Sequence, residues 1–302
     1  IRVPHKCIMI QIMFIDIHGH AYKRPYPGWG GKPVFSTLEQ LLVKYERFGI
    51  EKAALLPLVS PEVYLPQSNE EILEITEKYP DRFIPFCNID PRAVTNTANA
   101  PLGYLLEHYK NCGCKGIGEV MPNIPFLHPM ALNLFHHVEK AGLPLIFDIT
   151  TRVGGAYGLY DDQGLPQFEQ CLRMFPKLKF LGHGPPFWAE IAELETPADR
   201  STYPMYPVKK EGVVPKLLRR YPNLYGDLSA GSGYIALARD PEYAARFLTE
   251  FQDKLFFGTD ICGNDQDPLL PGFLISLVEK GKITETAFRK IARENTIKLL
   301  NL

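Results

Sequence analysis

The sequence predicts an α/β chain folded as a (β/α)8 barrel in a single domain, and three observations carry that expectation. Strand-like apolar runs alternate with amphipathic helical stretches along the chain, and eight such runs are found. The runs are nearly continuous Ile, Leu, Val and Phe, as parallel strands buried on both faces by helices must be. Polar residues able to bind ligands recur where the runs end, and a barrel of this type places its chemistry at that end of its strands. A length of 302 residues with 45% hydrophobic and 22% charged content supplies the core of one such barrel.

In chain order the strand-like runs are MFIDIHGH (13–20), KAALLPLV (52–59), FIPFCNID (83–90), KGIGEVM (115–121), LPLIFDIT (143–150), LKFLGHGP (178–185), NLYGDLSA (223–230) and LFFGTDI (255–261). Between them STLEQLLVKYERFG, SNEEILEITEKYP, HPMALNLFHHVEKAG and PQFEQCLRMFP read as helices, several opened by a Ser or Asn cap and closed by Gly or Pro. An open doubly wound sheet would carry a Gly-rich first turn entering a helix, whereas the first run ends in His-Gly-His and an aromatic loop. The barrel is expected to occupy residues 1–302, with 1–12 as an N-terminal extension and 186–211 as a loop insertion after strand 6. That insertion, rich in Pro, Tyr and charge, is a candidate lid or a surface excursion.

Lys and Arg number 33 against 34 Asp and Glu, and no run of like charges offers a face to nucleic acid or to an anionic membrane. A small-molecule substrate is the expected partner. Cys7, Cys87, Cys112, Cys114, Cys171 and Cys262 are scattered rather than densely spaced, which suits a reducing cytoplasm better than a disulfide-stapled secreted domain. Cys112-Gly-Cys114 lacks the second pair that a zinc-thiolate site requires. No signal peptide or membrane span is read in the apolar N-terminal stretch, which runs straight into strand 1.

At or near the strand ends lie Asp16, His18, His20, Glu119, Asp148, His183, Asp227 and Asp260. Burying so many ionisable groups costs several kcal/mol each, roughly, unless they pair or bind a cation. Alternation along a strand puts His18 and His20 on one side, where two neutral imidazoles can share one ion. Asp260 reaches the same region because strand 8 neighbours strand 1 once the barrel closes. Glu119 and Asp148 are further candidate ligands, or supports that orient the ligands. His183, in Gly-His-Gly, is a candidate proton handler or a turn residue. Asp16 lies deeper and is expected to be structural, as is Asp227. Arg24, Tyr22 and Trp29 after strand 1 and Arg152 after strand 5 are candidate substrate contacts, the arginines as clamps for a carboxylate. Cys262 and Asn264 are expected to line the pocket without chemistry.

His18-Gly19-His20 after an apolar strand, Gly182-His183-Gly184, the FGTD ending in Asp260 and the closing RKIARENTIKLL together resemble the amidohydrolase superfamily. The likeness is to the branch that includes aminocarboxymuconate semialdehyde decarboxylase, and it runs from about Phe14 to the C-terminus. It implies a TIM barrel, a mononuclear or dinuclear metal site often holding zinc, a strand-8 Asp that binds metal and handles a proton, and a homodimer or larger assembly. Two departures stand out. Asp148 occupies the strand-5 position where the family usually supplies a His, and Glu119 stands where some relatives carry a metal-bridging glutamate.

The resulting expectation is one divalent metal ion, zinc foremost and manganese as the alternative, with a second metal left open by the charge count. Glu119, Asp148 and Asp260 around one dication would net −1, so one carboxylate must stand off, take a proton or pair with a cation. The expected reaction is metal-assisted hydrolysis of a small amide, lactone or ester-like substrate, possibly carboxylated. Asp260 or His183 would take the proton of the attacking water. Non-oxidative decarboxylation of an aromatic or enoic acid is the alternative.

Overall fold

The computed structural model describes residues 13–27, 31–63 and 66–302. Among the described residues each of the eight runs forms a parallel strand: β1 (Phe14–Gly19), β2 (Ile50–Leu55), β3 (Phe83–Pro85), β4 (Ile117–Val120), β5 (Leu145–Phe147), β6 (Phe180–Gly182), β7 (Leu224–Asp227) and β8 (Leu255–Phe256). Neighbours in sequence are neighbours in space, with ladders running β1-β2-β3 and β4-β5-β6-β7-β8. Backbone hydrogen bonds bridge both remaining gaps. Cys87 N to Gly116 O and Gly118 N to Cys87 O, both 3.0 Å, join β3 to β4, while Ile17 N to Phe257 O at 3.0 Å and Asp260 N to His18 O at 2.8 Å join β1 to the chain leaving β8. The protein is an α/β TIM barrel.

The ladders are shorter than the apolar runs for local reasons. β3 stops at Pro85, which has no N–H to donate. The strand-5 run is interrupted at Asp148, and its remainder, Ile149–Thr150, pairs with Leu159–Tyr160 instead. Pairing of β1 with β2 shifts register between Asp16 and Gly19. Simple alternation therefore fails there, and Asp16 and His18 serve different sides.

The helices follow their sequence signals. α1 (Leu38–Phe48) opens with Thr37 and Gln40 in a reciprocal capping box and ends at Gly49, whose φ of 68° is left-handed. α2 (Asn69–Lys78) is capped by the Ser68 hydroxyl, and α3 (Gly103–Asn111), α4 (Pro129–Ala141) and α5 (Pro166–Met174) complete the first half of the outer layer. Phe135 of α4 and Phe168 of α5 meet Phe180 of β6 edge-on at 5.4 and 5.5 Å between ring centres, so helix faces and strands share one aromatic core.

Asp16 fastens β1 to its surroundings. Its fully buried carboxylate accepts hydrogen bonds from the backbone N–H groups of His18 and Thr259, both 2.9 Å, the Tyr45 hydroxyl at 2.8 Å and the Thr259 hydroxyl at 2.5 Å. Burial raises its pKa to about 6 even against those four donors. The structural role expected from sequence is thus a tie between β1, α1 and the segment after β8. Asp16→Ala leaves two buried backbone donors unpaired and is expected to destabilise the fold by about 3 kcal/mol, read by denaturant unfolding; an unchanged midpoint would refute the tie.

The insertion departs through α6 (Pro185–Ala189) and returns to α7 (Val213–Arg220). Its base is closed by antiparallel pairing of Ala192 with Glu211. Arg200, inside it, donates to Glu190 at 2.5 Å and to the Asp161 carbonyl at 2.6 Å with only 3% exposure, so the insertion is pinned as a wall. Beyond it come α8 (Ala230–Ala238) and α9 (Pro241–Glu250). Residues 1–12 and Trp29 lie outside the described residues.

Candidate metal centre

The centre is built on tautomers fixed from behind. His20 Nδ1 lies 2.9 Å from the Leu56 carbonyl, which can only accept, so Nδ1 carries the hydrogen and Nε2 presents a lone pair. His18 Nδ1 lies 2.6 Å from Asp227 Oδ2, which imposes the same tautomer. The two Nε2 atoms then face each other at 3.1 Å. Two lone pairs at that distance, both buried, repel unless a proton or a cation sits between them.

The surrounding distances suit a cation. His18 Nε2 is 3.5 Å from Glu119 Oε2 and 3.8 Å from Asp260 Oδ1, and His20 Nε2 is 3.7 and 3.3 Å from the same two oxygens. Bonds of about 2.1 Å to tetrahedral ligands space the donor atoms about 3.4 Å apart. His18, His20, Glu119 and Asp260 therefore fit one divalent ion, and they include the compact set His18, His20 and Asp260. A second compact set, His18, Glu119 and His183, shares His18 with it and Glu119 with the larger four-residue group. Asp260 is held in a left-handed conformation, φ 49°, by its backbone bond to the His18 carbonyl, a strained state for a residue with a Cβ.

The electrostatics are mutual. Burial disfavours a charged His18, but Asp227 and Asp260 outweigh it and hold its pKa well above the imidazole value. Burial likewise opposes charge on Asp227, Asp260 and Glu119, yet the histidines facing them, His18 above all, keep all three ionised at lowered pKa. His183 belongs to the same network. Its Nδ1 is 2.9 Å from Ser229 Oγ and 3.4 Å from Asp227 Oδ2, and its Nε2 points to Glu119 Oε1 at 3.9 Å and Asp260 Oδ2 at 3.7 Å. Burial and the His18 charge lower its pKa, but Asp227 and Glu119 prevail and raise it to about 9.

Asp148 stands apart from both ligand sets. Its Oδ1 accepts from the Ile149 N–H at 2.5 Å, and its carboxylate occupies the space where a Cβ on Gly184 would sit. Burial first and the neighbouring Glu119 second push its pKa well above the carboxylate range. The carboxylate that stands in for the strand-5 His thus sits beside Glu119 with burial favouring its protonated form, and Glu119 itself reaches the imidazoles.

A cavity of about 650 Å³ opens on His20, Glu119, Asp148, His183 and Asp260. Val34, Phe35, Leu58, Val63 and Met121 give it an apolar side, while Tyr157, Tyr203 of the insertion and Cys262 add to the wall. Glu62 also lines it, clamped by both terminal nitrogens of Arg92 at 2.9 Å. Sequence reasoning missed Glu62, Tyr157, Tyr203 and Ser229, the first three because loops bring them in. The loop arginines do not line the cavity: Arg24 is exposed, and exposed Arg152 folds back onto the Gly155 carbonyl at 2.9 Å. Tyr22 is buried and stacks on Phe35, behind the wall. Asn264 lines a separate surface pocket beside Lys32. Cys114 is buried and Cys112 exposed, and both are free thiols.

Known proteins carry the same architecture. An uncharacterised TIM-barrel protein from Bordetella bronchiseptica is 16% identical, covers 96% of this chain and 99% of its own, and superposes with a TM-score of 0.65. A probable 2-pyrone-4,6-dicarboxylic acid hydrolase from Acinetobacter baumannii is 13% identical over 96% of this chain and 100% of its own, with a TM-score of 0.57. A dihydroxybenzoic acid decarboxylase from Polaromonas sp. JS666, solved with manganese and 2-nitroresorcinol, is 17% identical over 96% and 97%, with a TM-score of 0.56. No curated protein matches the chain. The amidohydrolase family model matches residues 15–302, from the strand that carries the paired histidines to the last helix. The chain belongs to the amidohydrolase family, whose members are metal-dependent enzymes.

Proposed function

We propose that the protein is a metal-dependent hydrolase of a small, uncharged amide, lactone or ester-like substrate. The observation that carries this reading is the charge of the cavity. Glu62, Glu119, Asp148 and Asp260 line it, and among the described residues no lysine or arginine does. Arg92 already pairs with Glu62, and the ion and the Asp148 proton would offset the other three carboxylates, so the cavity offers a dicarboxylate no free cationic clamp, whereas a neutral carbonyl compound needs none.

His18, His20, Glu119 and Asp260 would hold one divalent ion, zinc by preference because two imidazole nitrogens and tetrahedral spacing suit it, with manganese as the alternative. With Asp148 protonated, two carboxylates balance one dication. Such an ion supplies an acidified water and polarises a carbonyl oxygen. The chain's own residues do the rest. Asp260 Oδ2, on the His183 side, takes the proton of the attacking water. His183 Nε2, 3.7 Å from that oxygen, meets the developing oxyanion or returns a proton to the leaving group, while Asp227 and Ser229 support the charge on its ring from Nδ1. The apolar side excludes bulk water and fixes the remote part of the substrate.

A second reading, non-oxidative decarboxylation, has its own support in the rings of Phe35, Tyr157 and Tyr203 around the cavity, which suit a planar aromatic acid. A panel of lactones, amides and aromatic acids, followed for both acid release and CO2, separates the two. Acid release from neutral substrates is the expected result, and CO2 evolution without hydrolysis would overturn it.

Glu119 and Asp148 part company under the same reading. Asp148→Asn keeps a neutral group beside Glu119, so zinc binding stays within about threefold of the parent, whereas Glu119→Gln removes a ligand and weakens it about 100-fold or more, measured by chelator competition. Equal losses would show that Asp148 is itself a ligand. We also propose a reducing compartment for the protein, in keeping with the five unpaired cysteines among the described residues.

A further inference from the structure

Asp260 N donates to the His18 carbonyl at 2.8 Å, and there the chain turns away from β1 with Asp260 at φ 49°. A residue with a Cβ keeps that left-handed conformation where its surroundings enforce it, and the direction of the Cβ decides where the carboxylate points. Past the turn the Asp260 carbonyl and the Cys262 N–H need partners outside the β-ladder. One side chain serves both. Gln266 Nε2 donates to the Asp260 carbonyl at 3.3 Å, and Gln266 Oε1 accepts from Cys262 N at 3.0 Å.

The backbone fixes the polarity of this bridge. A carbonyl only accepts and an N–H only donates, so the side chain between them must offer a donor and an acceptor side by side, as a carboxamide does. A carboxylate lacks the donor, and a methionine lacks both. Gln266 is itself held in place. Its N–H donates to the Gly263 carbonyl at 3.1 Å, and its carbonyl accepts from Lys44 Nζ of α1 at 2.9 Å. Lys44 is 6% exposed and also binds Asp267 Oδ1 at 2.9 Å, so the loop after β8 is anchored to the helix layer. The turn that Gln266 closes carries Cys262, whose thiol lies 3.3 Å from Asp260 Oδ1, the oxygen that faces His20 Nε2 at 3.3 Å.

We propose that Gln266 is a positioning residue for Asp260: its amide clamps the turn after β8, so that the Asp260 carboxylate already faces the imidazoles before an ion arrives. The inference rests on the metal centre proposed above and extends it to a residue outside the donor set. Preorganisation of this kind raises affinity, because binding does not have to order the ligand. Without the clamp the Asp260 backbone can relax toward the common φ, ψ regions, which swings Oδ1 off the position of the ion.

Cobalt(II) tests the clamp without any turnover, because its visible absorption reports ligand number and geometry. Gln266→Met keeps the length of the side chain and removes both hydrogen bonds. Its affinity for cobalt, measured by chelator competition, should fall about tenfold, and its absorption bands should differ from those of the cobalt-loaded parent. Gln266 is half-buried in a loop, so the unfolding midpoint of the metal-free variant should stay close to the parent's. Asp267→Asn loosens the Lys44 anchor but leaves the amide bridge in place, and its cobalt affinity should stay within about threefold of the parent's. Parent-like affinity and absorption in Gln266→Met would overturn the proposal, as would equal losses in the two variants, which would point to loop anchoring alone. A parent protein that binds no cobalt would overturn the centre itself, and this inference with it.

Discussion

Asp260→Asn is expected to lower kcat about 1000-fold while leaving the fold intact. In the proposed centre the carboxylate would have two jobs that an amide does neither of. Oδ1, 3.3 Å from His20 Nε2, belongs to the donor set around the ion, and Oδ2, 3.7 Å from His183 Nε2, faces the proton-handling side. Asparagine matches the shape and can keep the left-handed backbone at this position better than most residues, so unfolding midpoints should stay close to the parent. It removes one of the two negative charges that balance a dication, and it cannot accept a proton from water near neutral pH. Steady-state kinetics with metal content measured on the same samples separates the two effects. Variant protein loaded with a full equivalent of metal should remain slow, and parent-like turnover would remove Asp260 from the proton step.

Asp227→Ala is expected to weaken zinc binding by about 10–100-fold although Asp227 touches no ion in this account. Its Oδ2 holds His18 Nδ1 at 2.6 Å and stands 3.4 Å from His183 Nδ1, while its Oδ1 accepts from Ser229 N at 3.0 Å. Without it the His18 ring is free to carry its hydrogen on Nε2, the atom that must present a lone pair. The pH dependence should change as well. In the parent, Asp227 and Asp260 raise the His18 pKa against its burial, so a proton competes with the cation and affinity climbs as pH rises toward that pKa. Removal of Asp227 lowers that pKa, and the affinity plateau should arrive at lower pH. Chelator competition across a pH series reads both effects, and a curve parallel to the parent's would contradict the assigned role.

The barrel was legible because each apolar run advertises a buried strand irrespective of its exact ladder. The convergence of His18, His20 and Asp260 was legible too, since neighbouring strand ends meet once the barrel closes. Sequence could not choose between Glu119 and Asp148, two carboxylates at the ends of adjacent strands. In the structure Glu119 faces the imidazoles while the backbone N–H of Ile149 anchors Asp148, beside an irregular register in β4 between Ile117 and Val120. Asp16 read as structural, and the structure adds its partner, Tyr45 of α1, next to the register shift in β1. Charged loop residues were the least legible. Arg24 and Arg152 looked like clamps by type alone, yet it is Arg92 that pairs with the cavity-lining Glu62, and it is occupied with Asp90 as well. Asp227 read as a support, and its structure makes that support specific, as the group that fixes two histidines at once.

The most direct test of the proposed centre is anomalous diffraction at the metal edge from crystals loaded with zinc. The account predicts one ion bonded to His18 Nε2, His20 Nε2, Glu119 and Asp260, with Asp148 turned to Ile149 and Glu119. An ion bonded to Asp148 in place of Glu119, or a pair of ions bridged by Glu119, would contradict it.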